Sequence, residues 1–471
     1  MIPVKIAFVV QPNPVLLDEE NNAHSPVRTN LFPIAQLTLA NIEGHDLELL
    51  DLRSIEGNWR DEKLTEYAPS FRYGKREFRR YLIGDYASKI KSADVYVLTA
   101  NFTSELNSVK ATAKELRRSN PKSRIIIGGR DVELSPEEYS RIPEIDHVVV
   151  GNSKQGLQKV IDSPEDVGKI VDIGKESTLP RPNLDLIANM PEYESGGGKL
   201  GQGLYAYIQT SRGCPHRCNF CTEDAEFIES DVSGIKKIID DYAEKGVGIF
   251  GFIDSNILCR SEEDLFEIFN YLKKKGLTWE FPAGLEIKRF FDGERFKEEL
   301  ADLVLGHDGQ SGMHRALIPL EDCLIRYSHH NKCQDLDYER VLDYLIEKEV
   351  PYVNIAIMIG HPEETKENRD GLMRNLRKIY DRFKKSKTTV NFSVFCSIPI
   401  PGTGFHEQMS ARIKYDHREY PELYTVFNGV IDGDNYSAEE ITEFRERILE
   451  EFDMQQDEGK VNPNDNVYSR A

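Results

Sequence analysis

Along the first third of the chain, short apolar runs alternate with stretches whose apolar residues recur at helical spacing. Residues 4–10, 47–52, 95–100, 124–128 and 147–150 are predicted strands. Residues 34–42, 106–116 and 156–161 are predicted helices between them. Strand–helix alternation of this kind predicts an open, parallel, doubly wound sheet over residues 1–165. Residues 57–92 interrupt it with Arg, Lys and Tyr and are expected as an inserted helical or loop excursion.

Periodicity fades over residues 166–203, where Leu179-Pro-Arg-Pro-Asn183 and Gly196-Gly-Gly198 supply turn formers, so this stretch is expected as a linker. Its Gly-rich part, 196–203, lacks the Lys-Ser/Thr ending of a phosphate loop. The alternation then resumes, with predicted strands at 204–210, 247–253, 278–281, 314–320, 352–359 and 390–397. Ile235, Ile238, Ile239 and Tyr242 share one helical face, and Ser261 with Asp264 forms a capping pattern ahead of another helix. Six such units predict a partial (β/α)6 barrel over 204–405, with its site at the C-terminal ends of the strands. Residues 406–471 are expected as a small C-terminal cap. Its amphipathic helix opens at Ser437-x-x-Glu440 and carries Ile441, Phe444, Ile448 and Phe452, and the polar tail 455–471 is expected to fray.

Charge narrows the partners. The 471 residues carry 80 Asp+Glu against 60 Lys+Arg, a formal net charge of −20. Such acidity argues against a nucleic-acid partner, whose phosphates require Lys and Arg, and against docking on anionic lipid. No apolar run reaches the roughly 20 residues of a membrane span. The N-terminal run reads as a strand because it has no basic leader and no cleavage site. Seven cysteines are too few for a disulfide framework and point to the reducing cytoplasm.

Three of those cysteines fall together in Gln209-Thr-Ser-Arg-Gly-Cys214-Pro-His-Arg-Cys218-Asn-Phe-Cys221, directly after a predicted strand. Three thiolates on one short loop suit a soft metal or an iron–sulfur cluster. A structural zinc site needs a closed set of four ligands, and the nearby candidate fourth, His216, lies inside the loop itself. On a cubane cluster, three protein ligands leave one iron open, which is a catalytic arrangement. A zinc site completed from elsewhere and a chance surface loop are the alternatives. Cys259, Cys323, Cys333 and Cys396 show no paired spacing and are expected as core or surface thiols, an auxiliary cluster being the alternative.

The C-x3-C-x2-C pattern with an aromatic, Phe220, before the third cysteine resembles the signature of the radical S-adenosylmethionine (SAM) superfamily. The resemblance implies that Cys214, Cys218 and Cys221 hold a [4Fe–4S] cluster at which SAM is cleaved to a 5′-deoxyadenosyl radical. Further segments follow in the family's order. Phe220 stands at the position beside the adenine, and Ile253-Asp254-Ser255-Asn256 ends the second barrel strand, where the SAM amino group is bound. Ile318-Pro-Leu-Glu321 resembles the fourth-strand segment near the ribose or methionine, departing from it at Pro319 and Asp322. Gly360-His-Pro-Glu-Glu-Thr365 resembles the fifth-strand adenine motif, which implies Gly360 and Pro362 as SAM neighbours. His361 is a candidate acid or base there. Ser397-Ile-Pro399-Ile-Pro-Gly-Thr403 resembles the sixth-strand ending, with Pro399 beside SAM.

Residues 1–165 are similar to the Rossmann-like cobalamin-binding domain that precedes some radical SAM barrels. The likeness rests on Phe32-Pro-Ile-x-Gln-Leu-x-Leu-Ala, His45-Asp-Leu-Glu-Leu-Leu-Asp51, Thr99-Ala-Asn-Phe-Thr103, Ile126-Ile-Gly-Gly-Arg130 and Val148-Val-Val-Gly151-Asn152. It implies Gln11, Thr99, Asn101, Thr103, Gly128, Gly129, Arg130 and Gly151 as cobalamin neighbours. The chain has no Asp-x-His-x-x-Gly motif for a lower axial histidine, and Arg130 stands where His is frequent. The function implied is cobalamin-dependent C-methylation of a small-molecule or peptide substrate, supplied with electrons by an external donor of flavodoxin or ferredoxin type. A cobalamin-independent radical rearrangement or cyclisation is the alternative reaction, and a non-enzymatic iron–sulfur or zinc redox-sensing module is the alternative class.

Overall fold

The computed structural model describes residues 3–24, 33–53, 59–176, 178–187, 204–320, 324 and 336–452. The chain falls into two compact units: one holds the described residues up to 187 together with Pro399–Thr425, the other those from 204 to 398 together with the described residues 426–452.

In the first unit, Lys5–Val10 (β1), Asp46–Asp51 (β3), Val95–Thr99 (β6), Arg124–Gly128 (β7), His147–Gly151 (β8) and Ile170–Gly174 (β9) form one parallel sheet in the order β3-β1-β6-β7-β8-β9. The continuous apolar runs become central strands because both faces are covered. Ala7, Val9, Leu98 and Ile127 pack with Leu106, Val109, Ala113 and Leu116 of the helix Leu106–Ser119. On the opposite face, Ile6, Phe8, Val97 and Ile126 pack with Leu157, Val160 and Ile161 of the helix Lys154–Asp162. The edge strand β9 lies inside the segment expected as linker. Its short, half-exposed run was hidden among turn formers.

The excursion at 57–92 is a correction. Among its described residues there is no long helix; Leu64–Tyr73 (β4) and Arg76–Ile83 (β5) form a hairpin that pairs antiparallel with Pro14–Leu17 (β2). The signal was period-two alternation: Phe71 and Tyr73, then Phe78, Arg80 and Leu82, are buried while Arg72, Glu77, Arg79 and Tyr81 between and beside them are not. Gly74, at φ +60°, makes the turn. Basic side chains, including buried Arg80, disguised the pattern.

The segment expected as one C-terminal cap is shared between the units. Pro399–Thr425 belongs to the first. There the buried Glu422 carboxylate meets Arg80 Nε at 3.1 Å and accepts hydrogen bonds from Tyr67 Oη (2.9 Å) and Asn107 Nδ2 (3.0 Å). Arg80 also donates to the Pro69 and Glu419 carbonyls.

The second unit follows the barrel expectation. Leu204–Ile208 (β10) leads to a short antiparallel pair, Ser211–Arg212 (β11) with Ile228–Glu229 (β12). Then come Val247–Phe252 (β13), Thr278–Phe281 (β14), a second small pair Phe291–Asp292 (β15) and Arg295–Phe296 (β16), Gly312–Pro319 (β17), Tyr352–Ile359 (β18) and Thr389–Cys396 (β19). Strands β10, β13, β14, β17, β18 and β19 pair in parallel and in chain order. Among the described residues β10 and β19 each pair on one side only, so the sheet is not closed. Helices Val232–Glu244, Glu262–Lys274, Tyr338–Glu347 and Lys366–Phe383 connect the strands, capped by Asp231, Ser261, Asp337 and Thr365. The helix Ala438–Glu451 starts at the expected Ser437–Glu440 capping box and packs on β19, where Arg445 Nε donates to the Val394 carbonyl at 2.8 Å. No helix among the described residues is long and apolar enough to cross a membrane.

Candidate functional site

The cysteine loop leaves the C-terminal end of β10, and β11–β12 closes its base. Gly213, at φ +81°, lies so close to the Glu226 carbonyl that a Cβ would approach it to 1.9 Å; only glycine fits. Within the loop, Cys214 N–H donates to the Asp224 carbonyl (2.8 Å) and Cys221 N–H to the Cys218 carbonyl (3.0 Å). Cys214 and Cys218 are half-buried, Cys221 is exposed, and Phe220 is half-buried.

Two buried charges hold the loop to the next strand end. Asp254 accepts from Thr210 N–H (3.1 Å), Thr210 Oγ1 (2.6 Å) and Ser211 Oγ (2.6 Å). Burial raises its carboxyl above the ordinary value, against the lowering effect of these bonds. Arg260 donates to the carbonyls of Thr210 (3.0 Å) and Ser230 (2.7 Å) and pairs with Asp264 (3.1 Å). Asp254 thus braces the loop mainly through Oδ1, while Oδ2 accepts only from Thr210 N–H at 3.2 Å. Its neighbour Ser255 donates to Glu223 at 2.6 Å, and Glu223 N–H approaches Cys221 Sγ at 3.5 Å.

Cys214 has the richest surroundings. A hydrogen bond with the Cys259 thiol, together with His216 N–H and Asn256, draws the Cys214 thiol down to about 6 against the opposing effect of burial. Cys259 is pushed up, first by that same bond and then by burial. Asn256 Nδ2 lies 3.9 Å from Cys214 Sγ and 2.7 Å from Glu286 Oε2, and Glu286 Oε1 lies 3.0 Å from His216 Nε2. Sequence reasoning missed Cys259, Arg260 and Glu286. Their only common signal is position, since each follows the C-terminal end of β13 or β14.

The three thiols do not converge on a point: among the described residues, no group of three or more His, Cys, Asp or Glu side chains forms a single-ion site. A cubane cluster carries its thiolates on three separate irons and requires no such convergence. Three thiols on one short loop after a strand are a donor set that fits a cluster.

At the end of β18, Gly360 has φ +80° and its N–H donates to buried Glu364 at 2.8 Å. Tyr436 Oη donates to the Gly360 carbonyl (2.6 Å), Asp434 N–H to the Pro362 carbonyl (2.8 Å) and Asn435 Nδ2 to the Glu364 carbonyl (3.3 Å). Sequence did not foresee that the chain around 434–436 fixes this turn. His361 is buried within it. Pro399 is buried and opens the segment that belongs to the first unit, and Glu321, Cys323 and Cys333 lie outside the described residues. Cys396, the last residue of β19, is buried, and its thiol is pushed up to about 12 by burial, as suits a core residue.

In the first unit, the expected cobalamin neighbours gather at the C-terminal strand ends. The switch point of the sheet lies between β1 and β6, which carry Gln11 and Thr99. Gln11 Nε2 donates to the Thr99 carbonyl, and Gln36 Nε2 to Thr99 Oγ1 at 2.7 Å. Asn101 Oδ1 accepts from Arg130 N–H (3.2 Å), and Thr103 Oγ1 donates to buried Asp131 (2.5 Å). Glu133, unforeseen, holds Arg130 Nη1 at 2.9 Å and Gly151 N–H at 3.1 Å. At Gly129 (φ +118°) a Cβ would lie 2.4 Å from the Ala100 carbonyl oxygen, and at Gly128 it would lie 2.8 Å from Val149.

Comparison with known proteins bears on both units. The B12 binding domain family matches residues 85–161. An uncharacterized methyltransferase of Pyrococcus horikoshii is 21% identical over 404 residues, covering 76% of this chain and 78% of that protein. Cytidylyl-2-hydroxyethylphosphonate methyltransferase of Streptomyces wedmorensis is 24% identical over 290 residues, covering 58% of this chain and 50% of that one. Among solved structures, the radical S-adenosylmethionine methyltransferase TsrM from Kitasatospora setae, with cobalamin and a [4Fe-4S] cluster bound, superposes with a TM-score of 0.55. It is 15% identical and covers 87% of this chain and 78% of that one. The same protein has been solved with tryptophan substrate and a SAM analogue. Residues 85–161 are therefore similar to a B12 binding domain, and the chain shares the overall fold of that solved methyltransferase.

Proposed function

We propose that this chain is a radical SAM enzyme that uses cobalamin to methylate a carbon of a small-molecule or peptide substrate. The observation that carries the reading is the braced loop of Cys214, Cys218 and Cys221 at the first strand end of a six-stranded parallel sheet, in one chain with a B12-binding-type domain. When bound, the cluster supplies the electron that cleaves SAM, and cobalamin carries the methyl group. The protein's part is to hold, orient and exclude water.

The three cysteines hold the cluster, and the lowered Cys214 thiol favours the thiolate that ligation requires. Asp254 and Arg260 keep the loop in place, and Phe220, Asp254, Ser255, Gly360 and Pro362 are assigned to SAM. Gln11, Thr99, Asn101, Thr103, Gly128, Gly129, Arg130 and Gly151 are assigned to cobalamin, where small residues let backbone approach a bulky ligand. A tryptophan-binding neighbour of the same fold supports a small-molecule substrate. Electrons come from an external flavodoxin- or ferredoxin-type donor in the reducing cytoplasm.

The test is anaerobic reconstitution with iron, sulfide, corrinoid and SAM. Cluster absorbance, a retained corrinoid and S-adenosylhomocysteine as co-product are expected, with loss of the cluster and of SAM cleavage in Cys218→Ala. Deoxyadenosine without S-adenosylhomocysteine would move the reading to a rearrangement. Zinc uptake with SAM left intact would end the enzyme reading.

A further inference from the structure

Two adjacent strands of the second unit carry asparagines where buried strands ordinarily carry apolar residues. Asn354 of β18 is 1% exposed and Asn391 of β19 is 8% exposed, and they are register partners in the parallel pair. Among the described residues, neither side-chain nitrogen has a hydrogen-bond partner, and neither does Asn354 Oδ1. Buried donors and acceptors left unmade cost stability, so their presence calls for something that pairs them.

Alternation along the strands fixes the face they occupy. Phe392 turns toward the C-terminal helix, its ring centroid 4.9 Å from that of Phe452, and Trp279 of β14 turns toward the helix Glu262–Lys274, 5.1 Å from Phe269. Asn391, Ser393 and Phe395, with their partners Asn354, Ala356 and Met358, lie on the opposite face. Toward the C-terminal strand ends, the two amides are followed there by the small pair Ala356 and Ser393. Met358 and Phe395 come next, half-buried between fully buried neighbours. That pair marks where the face opens, the small pair leaves depth beneath it, and the amides form its floor.

We infer that Asn354 and Asn391 bind a neutral amide group of the substrate, which enters past Met358 and Phe395. The inference rests on the function proposed above and narrows its substrate class. The unpaired atoms offer two donor groups and one acceptor and carry no charge, the complement of a carboxamide or peptide bond. A carboxylate or ammonium would be buried without a counter-charge, because the charged pair on this face, Glu280 and Arg315, is already matched at 2.6 Å. Methionine and phenylalanine at the opening suit an apolar body attached to the amide. Discrimination is steep in such a site, since a ligand lacking the group leaves the asparagines unpaired.

The experiment titrates four probes by calorimetry into full-length, anaerobically reconstituted wild type, Asn354→Leu and Asn391→Leu, after iron content and melting temperature have been measured. The probes are benzamide, N-acetylphenylalanine methylamide, benzoate, and N,N-dimethylbenzamide, which lacks the N–H donor. Wild type is expected to bind one of the first two at least about tenfold more tightly than the last two, and each leucine variant to lose that preference. Tighter binding of benzamide assigns the amide to a free small molecule, and tighter binding of the methylamide assigns it to a peptide. Leucine keeps the branched shape and removes the unpaired atoms, so both variants are expected to melt at or above the wild-type temperature. No amide preference in wild type, or the same preference in both variants, would overturn the inference. So would a lower melting temperature in both variants, which would assign the asparagines to enclosed water and a structural role. Binding at this floor needs no cluster, so an amide preference in protein that takes up no iron would refute the proposed function and leave the amide site standing.

Discussion

Asp254→Ala tests the physical basis of the cysteine loop most directly. Thr210 and Ser211, both fully buried, send a backbone amide and two hydroxyls to the carboxylate, at 3.1, 2.6 and 2.6 Å. Hydroxyls rotate to new acceptors, but the Thr210 amide cannot, and one orphaned buried donor costs about 1–3 kcal/mol. Loss of the two hydroxyl bonds adds about 1 kcal/mol each, and relief of the buried charge offsets part of the total. The expected local destabilisation is therefore about 3 kcal/mol, or about 100-fold in the opening equilibrium. Hydrogen exchange over residues 209–214 reads this without assuming that the whole chain unfolds in one step. Faster exchange by about that factor is expected in Asp254→Ala, together with reduced iron retention after reconstitution. Asp254→Asn keeps an acceptor for the amide and should fall between. Wild-type exchange and full iron retention in Asp254→Ala would show that Asp254 is not the brace.

Other consequences are as accessible. Glu280, buried between Arg315 (2.6 Å) and His314 (2.9 Å), is raised by burial but more strongly lowered by Arg315 and His314, leaving it below the ordinary glutamate value of 4.5. Its contribution to stability is therefore full above about pH 4.5 and lost as pH falls below it. Glu280→Gln should cost about 3–5 kcal/mol near neutrality and flatten that acid limb in urea titrations at several pH values, whereas an unchanged limb would assign it to other groups. Glu422→Ala strips Arg80, Tyr67 and Asn107 of a shared buried partner and should make Pro399–Thr425 the first site of limited proteolysis, at a cost of about 3–5 kcal/mol; a wild-type cleavage pattern would contradict this. Gly129→Ala must force a side chain into positive φ against the Ala100 carbonyl, with backbone strain alone of about 1–3 kcal/mol. Lower thermal stability and poorer corrinoid retention are expected, and wild-type values in both would remove the close-approach reasoning.

Legibility followed the range of the interactions. The parallel strands were readable because a strand covered on both faces is a continuous apolar run, as at β1 and β7. Caps at Ser261 and Ser437 were readable because the donor and acceptor lie within four residues. The hairpin β4–β5 was not, because its alternation buries Arg80 and tyrosines whose partners, Glu422 among them, lie more than 300 residues away. The partition of the C-terminal segment went unseen for the same reason.

The site divides along the same line. Spacing within eight residues singled out Cys214, Cys218 and Cys221 as the proposed cluster ligands, since residues grouped on one loop leave their mark in local sequence. Cys259, Glu286, Arg260, Glu364, Tyr436 and Glu133 carry no such mark, and each acquires its role only when separate strand ends or turns are brought together. The sequence alone determined the fold class, the six-strand barrel order and the identity of the thiols. Only tertiary structure decided what holds those thiols, which way Asp254 is spent and which donors reach Cys214. Hydrogen bonds act over a few ångströms of space, and their partners lie tens to hundreds of residues apart along the chain.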